Sequence, residues 1–266
     1  MKWMNIGIKQ KIFKFFILLI IVFSSIKAHS SSNDSLIPKQ KSFIGKYIVD
    51  GKNLFLSPLK WDSKNQTYFF GAIATTAIVN SFDYKINEIF ISQNNKTLNY
   101  LNNNLFNTFG EDYFLFPSLG IGCTYGLIAK DKKLFKTCLL GKKTLLYTNL
   151  VTGIIKLSIH RHRPYDDFYP DSQKAEGLFY NFSKNSLIEN DYMSFPSGHT
   201  TKIFALATVI SLSYKNKKAV KWIAYSLATL TALSRINSNE HWASDVVFSS
   251  MLGISLGTFF YKANKI

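Results

Sequence analysis

The sequence predicts an all-α protein: a bundle of about six core helices with the active site at one end of the bundle. Two observations predict this class. Apolar segments of helical length recur along the chain with short polar turns between them, and the residues capable of chemistry cluster where those segments begin or end. A chain of 266 residues is long enough to bury one substantial core, and no internal repeat divides it.

The predicted helices follow one another within one domain, which we assign to residues 68–266. The run from Tyr68 to Phe82 is rich in Ala and Thr and predicts the first core helix. Residues 92–108 carry seven Asn and predict a loop or a short polar helix. The other five helices are predicted over residues 113–129, 134–156, 199–214, 219–235 and 243–262, with a Lys-Asp-Lys-Lys turn at 130–133 between the first two.

The N-terminal 30 residues have the layout of a secretory signal. A basic start is followed by an apolar run from Phe15 to Phe23 and by Ala28-His29-Ser30 as a candidate cleavage site. The same segment can also serve as an uncleaved anchor, although it is shorter than the roughly 20 residues of a spanning helix. Either interpretation predicts export to the periplasm or cell envelope. Residues 31–67 are polar and predict an extended lead-in that packs loosely on the domain.

Hydropathy favours an exported soluble bundle over a membrane-spanning one by a small margin. The mean hydropathy is only +0.02, and most apolar runs are at or below the spanning length, although the last one is long enough to cross a bilayer. Residues 165–195 form a long connection rich in aromatic residues, and a connection of this length in a compact domain is usually functional or disordered.

The formal net charge of +16 favours anionic partners. The lysines are scattered and no nucleic-acid-binding module is present, so we expect no nucleic-acid partner, and solvated surface lysines account for most of the surplus. The two cysteines, Cys123 and Cys138, lie on apolar segments and are expected as buried thiols, while export also permits a disulfide between them. The oligomeric state is left open.

His241 and Asp245 are four residues apart at the start of the last predicted helix. This spacing places both on one face, so the carboxylate can hold the proton on ring Nδ1 and leave Nε2 free to attack an electrophile. Taken alone, the pair also fits an ordinary helix-surface contact.

A helix start is also predicted at Pro196-Ser197-Gly198-His199. The backbone N–H groups of such a turn, together with the Ser197 hydroxyl, suit an anion, and Gly198 lets the backbone approach a ligand closely. His199 is placed to donate a proton to a leaving oxygen. The same four residues alone fit a plain N-cap turn.

Three cations complete the set. Lys156 and Arg163 are seven residues apart, which is two turns of a continuing helix, and Arg235 ends the preceding helix six residues before His241. A guanidinium fork binds two phosphate oxygens at once. The residues between Lys156 and Arg163, including His160, Arg161 and His162, are interpreted as spacers or surface.

Together these residues read Lys-x6-Arg-Pro, Pro-Ser-Gly-His and Ser-Arg-x5-His-x3-Asp, in this order. This set resembles the signature of the superfamily of type 2 phosphatidic acid phosphatases and vanadium haloperoxidases, with every fixed position present. The resemblance covers residues 156–245 and, more loosely, the helices up to the C-terminus. Residues 1–110 match no motif of the family.

The resemblance implies a role for each site residue. His241 would be the nucleophile, Asp245 would orient it, and His199 would protonate the leaving group and then activate water. The phosphoryl oxygens would be held by Lys156, Arg163, Ser197, Gly198 and Arg235. No cofactor and no metal is implied.

The resulting hypothesis is an exported phosphatase acting on a phosphomonoester or pyrophosphate, with a lipid-linked phosphate as the favoured substrate and the membrane surface as a possible partner. A broad-specificity soluble acid phosphatase is the alternative, followed by a vanadate-dependent haloperoxidase. A phosphate-binding protein without catalysis is disfavoured, because binding alone needs neither the acid nor the nucleophile.

Overall fold

The computed structural model describes residues 43–92, 95–159, 161–164 and 193–264, and this part of the chain is helical apart from short connections. The α-helices in it are α1 Phe43–Leu56, α2 Ser63–Asn80, α3 Asp83–Ser92, α4 Lys96–Leu101, α5 Asp112–Ile128, α6 Lys132–Ser158, α7 Gly198–Ser213, α8 Lys218–Asn237 and α9 Ala243–Asn264. Short helical turns occupy Ser57–Lys60, Asn102–Phe106 and Thr108–Gly110. The all-α prediction is confirmed. The predicted signal segment and most of the 165–195 connection lie outside the described residues.

Six of these helices, α2 and α5 to α9, are the core helices expected from the apolar segments. Side-chain caps explain where several begin. Asp62 accepts a hydrogen bond from the backbone N–H of Asn65 at 2.8 Å, and Asp131 accepts one from Leu134 at 2.9 Å. Such caps satisfy N–H groups that have no partner inside the helix, so they fix the first turn.

The expectation of an extended lead-in over residues 31–67 is wrong for its described part, which is largely helical. Helix α1 is held on the bundle by tertiary contacts. Asp50 forms a buried ion pair with Lys143 of α6 at 2.7 Å, and the Tyr147 hydroxyl donates to the carbonyl oxygen of Tyr47 at 2.6 Å. These partners lie far away in sequence, so local polarity gave no sign of them.

Helix α7 is the centre of the core and packs against α6, α8 and α9. Two glycines bring α9 close to it. A Cβ atom added to Gly253 would lie 2.5 Å from the carbonyl oxygen of Thr201, and one added to Gly257 would lie 2.5 Å from that of Ala205. The thiols of Cys123 and Cys138 are free and buried between α5 and α6.

The helices place five of their ends together at one end of the bundle: the starts of α5, α7 and α9 and the ends of α6 and α8. The predicted site residues lie on these ends. Among the described residues, α9 is the helix long and apolar enough to cross a membrane by length and composition, and half of its most apolar window is buried inside the protein. A core helix of a soluble protein meets the same criteria.

Candidate active site

His241 lies in the turn between α8 and α9, and its side chain is 2% exposed. Its Nδ1 atom is 2.6 Å from the backbone carbonyl oxygen of Ser194. A carbonyl oxygen only accepts, so Nδ1 carries the ring proton and Nε2 keeps its lone pair. Burial holds the pKa of His241 well below its usual range, and the nearby cations Lys156, Arg163 and Arg235 lower it further. The ring is therefore neutral at neutral pH, as a nucleophile requires.

Asp245 does not hold the His241 ring in the way that the sequence spacing suggested. Its Oδ2 atom lies 3.8 Å from Nδ1 and accepts hydrogen bonds from the Ser194 hydroxyl at 2.5 Å and the Trp242 N–H at 3.0 Å. The reason is that α9 begins at Ala243, so His241 precedes the first helical turn. Asp245 instead reaches the ring through Ser194, whose carbonyl group takes the place expected for the carboxylate.

His199 is the second residue of α7, and its Nε2 atom lies 3.1 Å from the Oε1 atom of Glu111. The pKa of His199 is lowered to about 4, chiefly by burial and also by Arg235 and Lys202, against the opposing effect of Glu111. In turn, the contact with His199 lowers the pKa of the Glu111 carboxyl group. Sequence reasoning missed Glu111, because a single carboxylate in front of a helix carries no motif.

Some polar groups in the turn at the start of α7 are bonded within the protein, and others are available to an anion. The Ser197 hydroxyl caps the helix by accepting from Thr200, and the Ser197 N–H donates to the Ser249 hydroxyl at 2.7 Å. The N–H therefore serves packing, while the hydroxyl keeps its own proton as a donor. Gly198 is different, since an added Cβ atom would meet nothing within 4 Å. Its N–H belongs to the first helical turn, which makes it the suitable donor to an anion.

The three predicted cations surround the same space as His241. Lys156 donates from Nζ to the carbonyl oxygen of Met193 at 2.7 Å, and burial, with Arg163 as the next cause, lowers the pKa of Lys156 to about 7. Arg235 lowers the pKa of both His199 and His241. One guanidinium therefore acts on both histidines, as expected of residues that share one substrate.

A carboxylate that sequence reasoning did not consider joins two of these cations. The Oε2 atom of Glu240 accepts a hydrogen bond from Nη1 of Arg163 and lies 3.4 Å from Nη2 of Arg235. Arg235 also donates to the Oδ1 atom of Asn107. An oxyanion thus lies between the two arginines, where a phosphoryl oxygen is expected.

The interpretation of Arg161 as spacer or surface is wrong. Its side chain is 1% exposed and donates to the carboxylates of Asp83 and Asp245. The pattern Arg-x-Arg suggests two residues on the same side of an extended segment, and only the second belonged to a motif. His160 lies outside the described residues.

A model of the PAP2 superfamily matches residues 142–265. Diacylglycerol pyrophosphate phosphatase 1 of Saccharomyces cerevisiae is 30% identical over 206 residues, which cover 67% of this chain and 69% of that protein. Lipid A 1-phosphatase of Porphyromonas gingivalis is 44% identical over 69 residues, or 26% of this chain and 16% of that protein. Lipid phosphate phosphatase 2 of Arabidopsis thaliana is 29% identical over 162 residues, 52% of this chain and 54% of that protein. The chain thus spans about half or less of the length of the latter two relatives.

Two solved structures share the fold. The LpxE structure from Aquifex aeolicus matches with a TM-score of 0.51 and 23% identity, over 68% of this chain and 95% of that one. A transmembrane PAP2-type phosphatidylglycerolphosphate phosphatase from Bacillus subtilis matches with a TM-score of 0.52 and 23% identity, over 74% of this chain and 93% of that one. Family model, motifs, yeast relative and fold agree, and the chain belongs to the PAP2 superfamily.

Proposed function

We propose that the chain is a metal-independent phosphatase that hydrolyses a lipid-linked phosphomonoester or pyrophosphate through a phosphohistidine on His241. The observation that carries this proposal is the neutral His241 ring, whose Nδ1 proton is held by a backbone carbonyl group among three cations. A nucleophile with its lone pair available and with cations for the phosphoryl oxygens is what phosphoryl transfer requires.

In the first step, Nε2 of His241 attacks phosphorus, a P–N bond forms, and the bond from phosphorus to the leaving oxygen breaks. His199, in its protonated form, gives its proton to that oxygen. Lys156, Arg163, Arg235 and the Gly198 N–H stabilise the negative charge on the three other phosphoryl oxygens. Binding of the phosphate anion near His199 offsets the cations that lower its pKa, which favours the protonated acid.

In the second step, the now neutral His199 takes a proton from water as the water oxygen attacks phosphorus. The P–N bond breaks, its electron pair returns to His241, and inorganic phosphate leaves. Glu111, in contact with Nε2 of His199, favours the positive charge that His199 acquires in this step.

A lipid-linked substrate is supported by an apolar cavity of about 230 Å³ whose lining on α7 begins at Ile203, one helical turn after His199. Its wall is formed by α5, α7, α8 and Phe109, and its lining includes Leu119, Leu206 and Ala224. Gly110 follows Phe109 and packs against His199, since an added Cβ atom would lie 2.4 Å from the His199 ring. We infer that a hydrocarbon chain of the substrate occupies this cavity while its phosphate is bound near His199.

The relatives named as lipid phosphatases support the same substrate class, and the transmembrane neighbour supports a membrane or envelope location. The N-terminal segment has the basic start and apolar run of a secretory signal. We therefore propose export to the periplasm or cell envelope, in association with the membrane. Carbonate extraction of membranes followed by a blot tests this, because only an integral protein resists extraction.

The function is tested by phosphate release from matched long-chain and short-chain phosphomonoesters. We expect activity in excess EDTA, a preference in kcat/KM for the long chain, and at least a thousandfold loss in kcat for His241→Ala. Ala224→Phe, which fills the cavity, should raise KM for the long chain only, while Ala219→Phe on the exposed face of α8 should change neither KM.

The alternatives predict other results. A soluble acid phosphatase would show equal kcat/KM on the two chain lengths. A haloperoxidase would oxidise bromide with peroxide after loading with vanadate and would release no phosphate. His241→Ala with more than a tenth of the wild-type turnover would overturn the mechanism itself.

A further inference from the structure

Arg161 is a fully buried cation outside the catalytic motifs. Its Nη1 group donates to the Ser244 hydroxyl at 2.7 Å and to Oδ1 of Asp245, and its Nη2 group donates to Asn80 at 2.6 Å and to Oδ2 of Asp83 at 2.7 Å. A buried guanidinium without such partners would be strongly destabilising. One cation between two carboxylates and two neutral acceptors forms a directional set of four hydrogen bonds from the two Nη groups.

Asp83, at the start of α3, completes this cluster from the opposite side. It is 2% exposed, accepts from the Ser244 N–H at 2.9 Å and also accepts from the Ser244 hydroxyl. Ser244 is the second residue of α9, and Asp245 follows it. Asp83 and Arg161 together therefore fix the first turn of the helix that carries Asp245.

The cluster continues from Asp245 to the nucleophile. The Ser194 hydroxyl donates to Asp245 at 2.5 Å, and the Ser194 carbonyl oxygen is the partner of His241 Nδ1. The backbone of Arg161 acts on the same residue, because its carbonyl oxygen accepts from the Ser194 N–H at 2.9 Å. Side chain and backbone of Arg161 thus converge on the carbonyl group that selects the tautomer of His241.

We propose that Arg161, with Asp83 as its counter-ion, is a positioning residue for the nucleophile. It holds Asp245 and Ser194 so that Nδ1 of His241 keeps its proton and Nε2 points at phosphorus. The inference rests on the proposed function, because the orientation of the His241 ring matters for the reaction only if His241 attacks phosphorus. The Nη groups of Arg161 donate to Ser244, Asp245, Asn80 and Asp83, none of which is a proposed phosphate-binding residue, so we expect its loss to slow chemistry more than binding.

The test measures phosphoenzyme formation by rapid quench in alkali, together with kcat and KM, for Arg161→Met, Arg161→Lys and Asp83→Asn. Supporting groups of this kind typically contribute 10- to 100-fold in rate, so we expect Arg161→Met to slow phosphoenzyme formation and kcat by up to about 100-fold, with KM within about threefold. Arg161→Lys should recover part of the loss, because a lysine keeps the charge but lacks the fork.

A matched control is provided by the other buried ion pair, Lys143–Asp50, which joins α6 to α1 away from the site. Lys143→Met should lower the melting temperature without changing the rate of phosphoenzyme formation per folded molecule. If Arg161→Met does not fold, Arg161→Lys and Asp83→Asn carry the same comparison.

The outcomes separate the two proposals. Wild-type protein that releases phosphate without a trapped phosphoenzyme contradicts the proposed function. A wild-type phosphoenzyme, with Arg161 and Asp83 variants that form it at the rate of Lys143→Met, overturns the positioning role alone. A loss that appears only in KM overturns it as well.

Discussion

The carbonyl oxygen of Ser194 lies 2.6 Å from Nδ1 of His241. Ser194 stands just before the Phe195-Pro196-Ser197 turn that leads into α7, and His241 stands just before α9. His199 and His241, the proposed acid and nucleophile, are therefore linked through one short backbone segment, since Ser194 is five residues from His199. A displacement of this segment would alter both histidines at once.

The acid role of His199 depends on the leaving group. An alkoxide must be protonated as it departs, whereas a nitrophenolate leaves without help. His199→Ala should therefore lose far more activity on an alkyl phosphate than in its phosphorylation step on an aryl phosphate, where phosphohistidine should accumulate because water is no longer activated. Rapid quench on both substrates measures this, with His241→Ala inactive on both as the reference. Equal losses without trapped phosphoenzyme would remove His199 from this role.

The contact of Glu111 with His199 predicts a shift in the pH profile. The carboxylate raises the pKa of His199, which burial lowers to about 4, so Glu111→Gln should lower this pKa further. His199 is protonated below its pKa, so the protonated fraction of His199 should be smaller in the variant at each pH. The optimum in kcat/KM should therefore move to lower pH. Glu88→Gln on α3, an exposed carboxylate, is the control for the removal of one negative charge. An unchanged or more alkaline optimum for Glu111→Gln would contradict this coupling.

Lys156 predicts an alkaline limb. Burial lowers its pKa to about 7, so its positive charge is present below that pH and is lost as the pH rises through it. Loss of protonated His199 already lowers kcat/KM, which reports the free enzyme, above about pH 4, and we expect a steeper fall above about pH 7 from Lys156. Lys156→Arg keeps its charge at every accessible pH and should remove this steeper limb. Both proteins are assayed on one substrate, so ionisation of the substrate cancels in the comparison, and a steeper limb retained in Lys156→Arg would refute the assignment.

Glu240 predicts a change in phosphate affinity. Its carboxylate oxygen contacts both Arg163 and Arg235, so a phosphate anion must displace it or bind against its charge. Glu240→Gln should lower the inhibition constants of inorganic phosphate and vanadate by several-fold and lower KM, while kcat changes less. Glu88→Gln on α3 is a control for the removal of one negative charge elsewhere. Weaker inhibition in Glu240→Gln would show that the carboxylate instead orients the arginines for substrate.

The positions of the core helices could be predicted from the sequence, because their apolar segments and capping residues are local signals. Fixed spacing within three motifs also predicted that His199, His241 and the three cations share one site, and the structure brings them together, while their roles stay predictions. Asp83, Glu111 and Arg161 carried no comparable signal. Each acquires its partner from a distant element, and pairing across about 80 residues, as between Asp83 and Arg161, depends on tertiary packing rather than local pattern.

Residues 31–67 illustrate the same limit for the fold. Their polar composition suggested an extended segment, yet α1 forms there because Lys143 and Tyr147 of α6 supply partners for Asp50 and Tyr47. Asp245 illustrates the same limit of sequence-based prediction for the site. The four-residue spacing to His241 was the correct signal for a shared neighbourhood, but the exact start of α9 decided which atom meets the ring.

The two glycines of α9 give the active site a mechanical dependence on residues that take no part in the chemistry. Gly253 and Gly257 let α9 lie against the backbone of α7, and these two helices begin with the residues that support the nucleophile and the acid. A methyl group at either glycine would push α9 away from α7, because it would collide with the α7 backbone. Catalysis in this protein thus depends on a close helix contact that begins within one turn of His199 on α7, although the glycines themselves are 12 and 16 residues after His241.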